Sequence, residues 1–320
     1  MIVSASRRTD IPAFYPDWFY RRLEEGYLYV RNPMNPRQVS DLRLNRDTVD
    51  CFVFWTKNPG PMMDRFSLLD DKGYPYYFQF TLTAYGRDLE PGLPDKNELV
   101  RIFRELSRRI GPDRVVWRYD PVLLGGIYDL EFHRQWFERL CGSLSGYTGT
   151  CVISFLDMYA RIRKNMEQRG IRPMETGDIC RVAEAFGAIA PRYGIEIQTC
   201  CEDIDLGAYG IVKGKCIDGQ RISQITGRCL NVKKDDTQRE SCGCVKSVDI
   251  GAYHTCAHFC RYCYANNSPD QVMANRGQHD PASPLLSGRL NGDERITRRE
   301  MKSVYADKKN QDGQLELHWE

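Results

Sequence analysis

The sequence carries almost no net charge: 45 lysines and arginines stand against 43 aspartates and glutamates, a formal +2 at pH 7. That balance gives no global electrostatic reason for non-specific nucleic-acid binding, although it leaves a local basic groove open. Long apolar runs are also missing. None approaches the roughly 20 residues that span a bilayer, so no membrane partner is expected. The start, Met1-Ile2-Val3-Ser4-Ala5-Ser6-Arg7-Arg8, has no basic segment followed by an apolar stretch. No signal peptide is therefore expected, and the cytoplasm is the expected location. Neither G-x-G-x-x-G nor a Walker A stretch occurs, so a nucleotide-binding doubly wound fold lacks its fingerprint.

Cysteine, by contrast, is plentiful, with thirteen in 320 residues. Cys51, Cys141, Cys151 and Cys180 sit within apolar strand or helix patterns and read as core residues. The other nine fall between Cys200 and Cys263. Disulfide scaffolds belong to small secreted proteins, and a chain of this length can bury a large core without them. Cysteines clustered in a large cytosolic protein point instead to metal ligation.

The first 199 residues alternate strand-like and helix-like segments. Strands are expected at Ile2–Ser6, Cys51–Thr56, Tyr76–Leu82, Arg114–Arg118, Thr150–Phe155 and Ile195–Thr199. Helices are expected at Pro16–Glu25, Pro61–Leu69, Asp95–Ile110, Leu130–Leu140 and Asp178–Tyr193, the last closed by Gly194. Six β/α repeats in order predict a parallel sheet, and a TIM-like (β/α) barrel is the preferred fold. Polar residues follow each strand, as a barrel mouth requires: Arg7, Arg8 and Asp10; Lys57 and Asn58; Tyr85; Arg118 and Asp120; Asp157; Cys200 and Glu202. Loops are polar in any fold, but arginine directly against an apolar strand, as in Val115-Val116-Trp117-Arg118-Tyr119-Asp120, calls for a partner or a task. The Pro- and Asn-rich stretch from Tyr29 to Ser40 reads as a shaped turn, either a lid over the mouth or a long connection. Three regions follow: β/α repeats over 1–199, a Cys-rich metal-cluster region with a final barrel strand over 200–290, and a polar tail over 291–320. The tail is expected to be mobile, with one short helix around Thr297–Tyr305.

The densest chemistry lies in Thr255-Cys256-Ala257-His258-Phe259-Cys260-Arg261-Tyr262-Cys263-Tyr264-Ala265-Asn266. Its C-x3-C-x2-C spacing can aim three thiolates at one face of a [4Fe–4S] cluster and leave the fourth iron open to a ligand. A structural zinc site is the alternative, with Cys256, Cys260, Cys263 and either His254 or His258. Upstream, Cys242-Gly243-Cys244 with Cys216 and one of Cys200 or Cys201 could hold a second, fully ligated cluster or a zinc ion. Some of these could equally be buried free thiols. Ser247 to Tyr253 reads as a seventh strand leading into the cysteine loop. If it lies parallel to Ile2–Ser6, it closes the barrel with a rotated strand order.

The cysteine loop, with Tyr262 directly before Cys263, resembles the cluster motif of the radical S-adenosylmethionine enzymes. Together with Ser4-Ala5-Ser6-Arg7-Arg8-Thr9-Asp10-Ile11-Pro12, Arg31-Asn32-Pro33-Met34-Asn35-Pro36, Phe54-Trp55-Thr56-Lys57-Asn58-Pro59 and Trp117-Arg118-Tyr119-Asp120-Pro121, it is similar to the bacterial domain-of-unknown-function family 1848 over about residues 1 to 290. The resemblance implies a radical-SAM-like iron–sulfur protein with no assigned reaction. It favours Cys200 over Cys201 as a ligand, because that family has T-C-A-E where this chain has Thr199-Cys200-Cys201-Glu202. About a dozen residues around the cysteines also resemble spore photoproduct lyase, a DNA-repair enzyme of the same class. No G-G-E-like stretch follows a second strand to hold the amino group of S-adenosylmethionine. Arg7, Arg8, Asp10, Lys57 and Asn58 are the residues placed to do so, with Tyr262 beside the cluster.

The leading expectation is therefore an enzyme that cleaves S-adenosylmethionine reductively to start radical chemistry on an unknown substrate. Arg118 would bind a carboxylate or phosphate, and Asp120, Asp157 or Tyr85 would orient the substrate. A reductant such as flavodoxin or ferredoxin is the expected protein partner. Two alternatives stay open: an iron–sulfur electron carrier or redox sensor without S-adenosylmethionine, and a zinc-stabilised barrel hydrolase or binding module.

Overall fold

Eight strands form one wholly parallel sheet in the computed structural model, which describes residues 1–266 and 268–306. In chain order they are β1 (Ile2–Ala5), β2 (Cys51–Thr56), β3 (Tyr76–Thr81), β4 (Val115–Val122), β5 (Thr150–Phe155), β6 (Glu196–Thr199), β7 (Val212–Lys213) and β8 (Ser247–Asp249). The spatial order is β7-β6-β5-β4-β3-β2-β1-β8. The seventh expected strand thus lies parallel to the first, with Ile2 opposite Ser247, Val3 opposite Val248 and Ser4 opposite Asp249. It stops at Asp249 rather than Tyr253. The expected closure does not occur: among the described residues β7 and β8 are unpaired edges of an open sheet.

Side chains of a strand alternate between its two faces, and here each face has its own core. Phe52, Phe54, Phe78, Phe80, Trp117, Tyr119 and Ile153 point outward to the helices. The helices Lys96–Ile110, Leu130–Leu144 and Thr176–Ile189 cover them, and Phe137 stacks on Phe186 with ring centroids 3.8 Å apart. Ile2, Val53, Tyr77, Val116 and Val152 point inward, against Cys216, Ile217, Ile222, Cys242, Cys244 and Val245. The Cys-rich segment therefore lies against the inner face and shares both sheet and core with the first 199 residues. A helix over Gly219–Thr226, not foreseen from the sequence, belongs to this inner layer.

Three smaller expectations change. The segment Pro61–Leu69 splits into two four-residue turns of helix, Gly60–Met63 and Ser67–Asp70. The stretch from Tyr29 to Ser40 belongs to a hairpin, Tyr27–Arg31 paired antiparallel with Gln38–Arg43. It contributes no wall to the cavity described below, so it is no lid over that mouth. In place of a helix at Thr297–Tyr305, Arg295–Arg298 adds a strand parallel to Gln38–Asp41. Ser303 Oγ and the Val304 N–H then bind the Asp50 carboxylate at 2.6 and 2.8 Å. The expectation of a mobile tail from residue 307 onward lies outside the described residues. No helix among the described residues is long and apolar enough to cross a membrane.

Candidate functional site

All the strand ends that carry polar residues open on one cavity of about 400 Å³, a size suited to a small-molecule ligand. Its wall takes Arg7, Arg8 and Asp10 after β1, Trp55 in β2 and Lys57 after it, Thr81 at the end of β3, Arg118 and Asp120 from β4, Asp157 after β5 and Glu202 after β6. Cys256, Cys260 and Cys263 line one part of it, and Cys200, Cys201, Cys216, Cys242 and Cys244 another.

The cysteine loop is fixed from several sides. Asp249, at the end of β8, accepts from Ser4 Oγ at 3.1 Å, Ser6 Oγ at 2.6 Å and the Arg7 N–H at 2.8 Å. This carboxylate locks the loop's strand to β1. Gly251 then passes so close to β1 that a Cβ there would stand 2.1 Å from Ser6 Oγ. The Gly92 N–H donates to the His258 carbonyl at 3.0 Å, and the Arg261 N–H to that of Leu89 at 2.9 Å. Tyr15 Oη donates to the Thr255 carbonyl at 2.6 Å, and Asn266 Nδ2 to that of Cys256 at 2.8 Å. Burial raises all three thiols. Burial pushes Cys256 well above the usual thiol range, reinforced by Asp10, Cys263 and Cys260. Burial likewise pushes Cys260 up to about 12, with Lys57 opposing.

Most of the expected ligand-binding residues turn out to be engaged within the protein. Asp10 caps the short helix Ile11–Phe14 through the Ala13 N–H at 3.0 Å. Its other oxygen accepts from the Lys57 N–H at 2.7 Å and contacts His258 Nε2 at 2.8 Å. Lys57 Nζ binds Glu90 Oε1 at 2.7 Å. Asn58 takes no part in the wall; its Oδ1 accepts from the Gly60 N–H at 3.1 Å and so shapes a turn. Tyr85 is also absent from the wall. It is fully buried and donates to the Pro121 carbonyl at 2.6 Å, so it supports the loop after β4 rather than reaching a substrate. Asp157 sits on the exposed rim, paired with Arg239 at 2.7 Å. Arg118 Nε donates to Asp120 Oδ2 at 3.0 Å, and Ser154 Oγ bonds the other oxygen of the same carboxylate. Burial would lower the Arg118 pKa, but Asp120 holds it well above the ordinary value.

Arg7 differs from the others. Among the described residues it is the one arginine or lysine on the wall with no carboxylate within ion-pair distance. Its guanidinium lies 5.3 Å from the centre of the Trp55 ring, and its Nη2 is buried with no hydrogen-bond partner. Thr9 Oγ1, Trp55 Nε1 and His258 Nδ1 are also buried without partners, and all belong to wall residues. Buried polar groups are normally hydrogen-bonded, so four orphans around one cavity fit a bound polar ligand.

Two further residues of consequence were assigned no role from the sequence. Glu90 is buried and receives Lys57, Lys96, the Tyr262 hydroxyl and Thr83 Oγ1, the last at 2.9 Å. Burial alone would raise its pKa, but Lys57 and Lys96 hold the carboxyl down at about 2. Glu202 accepts from the Phe155 N–H at 2.8 Å, and burial raises its carboxyl to about 7. The signal for Glu202 was its place after a strand; Glu90, in the loop after β3, gave none.

The second group of thiols is just as close-knit. Cys200 Sγ stands 2.8 Å from Cys216 Sγ, and Cys216, Cys242 and Cys244 lie together in one buried cluster against which Cys200 packs. Cys201 turns away at φ 61° toward Ser241, 3.6 Å distant. Of the histidines considered as zinc ligands, His258 lines the cavity and His254 does not. Cys51, Cys141 and Cys151 are buried as expected, whereas Cys180 is only half-buried.

No curated protein shows significant similarity to the chain. A family model described as a domain of unknown function (DUF1848) matches residues 2–265, from β1 through the last of the three loop cysteines. The match runs through every strand of the sheet and both groups of thiols, and the chain belongs to the DUF1848 family.

Proposed function

We propose that the chain is an iron–sulfur enzyme of the radical S-adenosylmethionine type. In this reading Cys256, Cys260 and Cys263 hold three irons of a [4Fe–4S] cluster, and the fourth takes the methionine end of S-adenosylmethionine. One observation carries it: three thiols from a single loop line a ligand-sized cavity whose wall also holds an unpaired arginine and several orphaned polar atoms. When bound, the pair supplies one-electron reductive chemistry that starts a radical reaction. The fold is taken as an open relative of a TIM-like barrel, with its strand order rotated so that the loop follows the last strand instead of the first. An external one-electron donor of the flavodoxin or ferredoxin class and a reducing compartment, the cytoplasm, go with this reading.

The chain's own residues divide the remaining work. Arg7 offers its free guanidinium edge to a carboxylate, while the Trp55 ring beside it keeps water from one side. Arg118 and Asp120 neutralise each other and form a fixed polar wall. Glu202, with its carboxyl near neutrality, can hold or release a proton at physiological pH. Tyr262 is oriented by Glu90 and holds the loop's last turn in place.

The test is protein purified without oxygen, assayed for iron, sulfide and zinc, then examined by EPR after reduction with and without S-adenosylmethionine. About four iron and four sulfide per cluster, with a spectrum that shifts on adding S-adenosylmethionine and no shift in Cys256→Ala, is the expected result. Iron and sulfide with no response would replace this reading by an electron carrier or redox sensor. Zinc without sulfide would point to a zinc-stabilised hydrolase or binding module.

A further inference from the structure

We infer that Cys200, Cys216, Cys242 and Cys244 hold a second iron–sulfur cluster, ligated entirely by the protein, on the wall of the same cavity. The inference stands on this quartet alone and does not depend on the open-iron reading. A free cysteine in a core packs singly, as a small hydrophobe. Here four thiols from three separate segments meet: Cys200 Sγ stands 2.8 Å from Cys216 Sγ, and Cys216, Cys242 and Cys244 share one buried cluster with Cys200 packed against it. Three of the four are buried, yet all four face the cavity.

Two N–H donors are aimed at these sulfurs. Arg118 Nη1 donates to Cys216 Sγ at 2.9 Å, and the Ile217 N–H to Cys244 Sγ at 3.4 Å. Donors aimed at ligand sulfurs stabilise a metal–thiolate centre and tune its potential. The Cys216 carbonyl accepts from both Tyr77 Oη and Gln79 Nε2 at 2.7 Å, which fixes the backbone that presents its thiol. The inner face of the sheet thus holds this residue by both of its polar groups.

Four soft thiolates select iron–sulfur clusters or zinc. No three His, Cys, Asp or Glu side chains among the described residues are arranged to hold one ion. All four thiols border a cavity of about 400 Å³, which has room for a multi-atom cluster.

The chain with Cys256, Cys260 and Cys263 all changed to Ser, purified without oxygen, tests this directly. It is expected to keep about four iron and four sulfide, and adding Cys216→Ser should remove at least nine-tenths of both. Zinc in place of iron, or an iron-free triple variant with a native circular dichroism spectrum, would overturn the inference. Should the triple variant fail to fold, Cys216→Ser in the otherwise native chain reads the same site. Loss of about half the iron is then expected, and an unchanged count would overturn the inference. A triple variant that keeps its iron, beside a native chain that ignores S-adenosylmethionine, would remove the open-iron reading and leave this one standing.

Discussion

Glu90 shows how one buried carboxylate can organise a site. It neutralises Lys57 and Lys96 and accepts from Tyr262, so it joins the strand ends to the cysteine loop. Glu90→Ala leaves two half-buried cations unpaired and is expected to cost about 1–3 kcal/mol in denaturant unfolding, with Glu90→Gln milder. A second prediction concerns His133, fully buried, whose Nε2–H donates to the Leu123 carbonyl at 2.7 Å while Nδ1 accepts from Tyr119 Oη at 2.8 Å. Burial lowers its pKa to about 4. Between that value and the unfolded value near 6.5 the unfolded chain binds a proton that the folded chain refuses. This group's stability contribution is therefore intact above pH 6.5 and lost as pH falls toward 4, at up to about 1.4 kcal/mol per pH unit. Urea denaturation across that range should show the slope, and His133→Gln should flatten it. Neither residue was legible in the sequence as a partner. A lone glutamate in a loop and a lone histidine in a helix look the same whether they face water or a core.

At the level of elements, the cysteine loop depends on close backbone approaches that single residues permit. A Cβ on Gly92 would stand 2.6 Å from the Ala257 carbonyl oxygen and 2.7 Å from that of His258. Gly92→Ala is therefore expected to displace the loop, at a cost of about 1–3 kcal/mol. Hydrogen exchange should read this as faster exchange of the amides from 254 to 266, with the helices of the outer face unchanged. Equal protection in variant and native protein would show that the loop adapts. Asp249 acts on the same loop from the end of β8, where it is bonded to β1 and the residues after it. Its four acceptor contacts, from Ser4, Ser6, Arg7 and Gly251, predict that Asp249→Ala costs about 3 kcal/mol, measurable as a lowered denaturation midpoint. The strands themselves were readable, because Cys51–Thr56 and Thr150–Phe155 are bounded by local composition alone. The two-residue β7 was not, since its pairing comes from β6 and not from its own sequence.

The whole molecule is a sheet with helices on one face and the Cys-rich segment on the other. If the quartet holds a cluster, removing the metal should loosen the inner layer first. Hydrogen exchange after anaerobic chelation is expected to rise over 216–245 and stay low in Leu130–Leu144 and Thr176–Ile189; a uniform rise would mean that both faces unfold together. The sequence by itself determined the alternation of strands and helices, the parallel sheet and the three-cysteine loop. Each rests on periodicity or spacing within a short window, where local propensity and pattern act. Only the tertiary structure decided that the sheet stays open and that Cys216, Cys242 and Cys244 line its inner face. It also decided that Asp10, Asn58 and Tyr85 serve the framework while Arg7 is left without a carboxylate. These outcomes turn on which side chains meet across tens to hundreds of residues. A polar residue after a strand reads the same in sequence whether its partner is a neighbouring backbone or an open cavity.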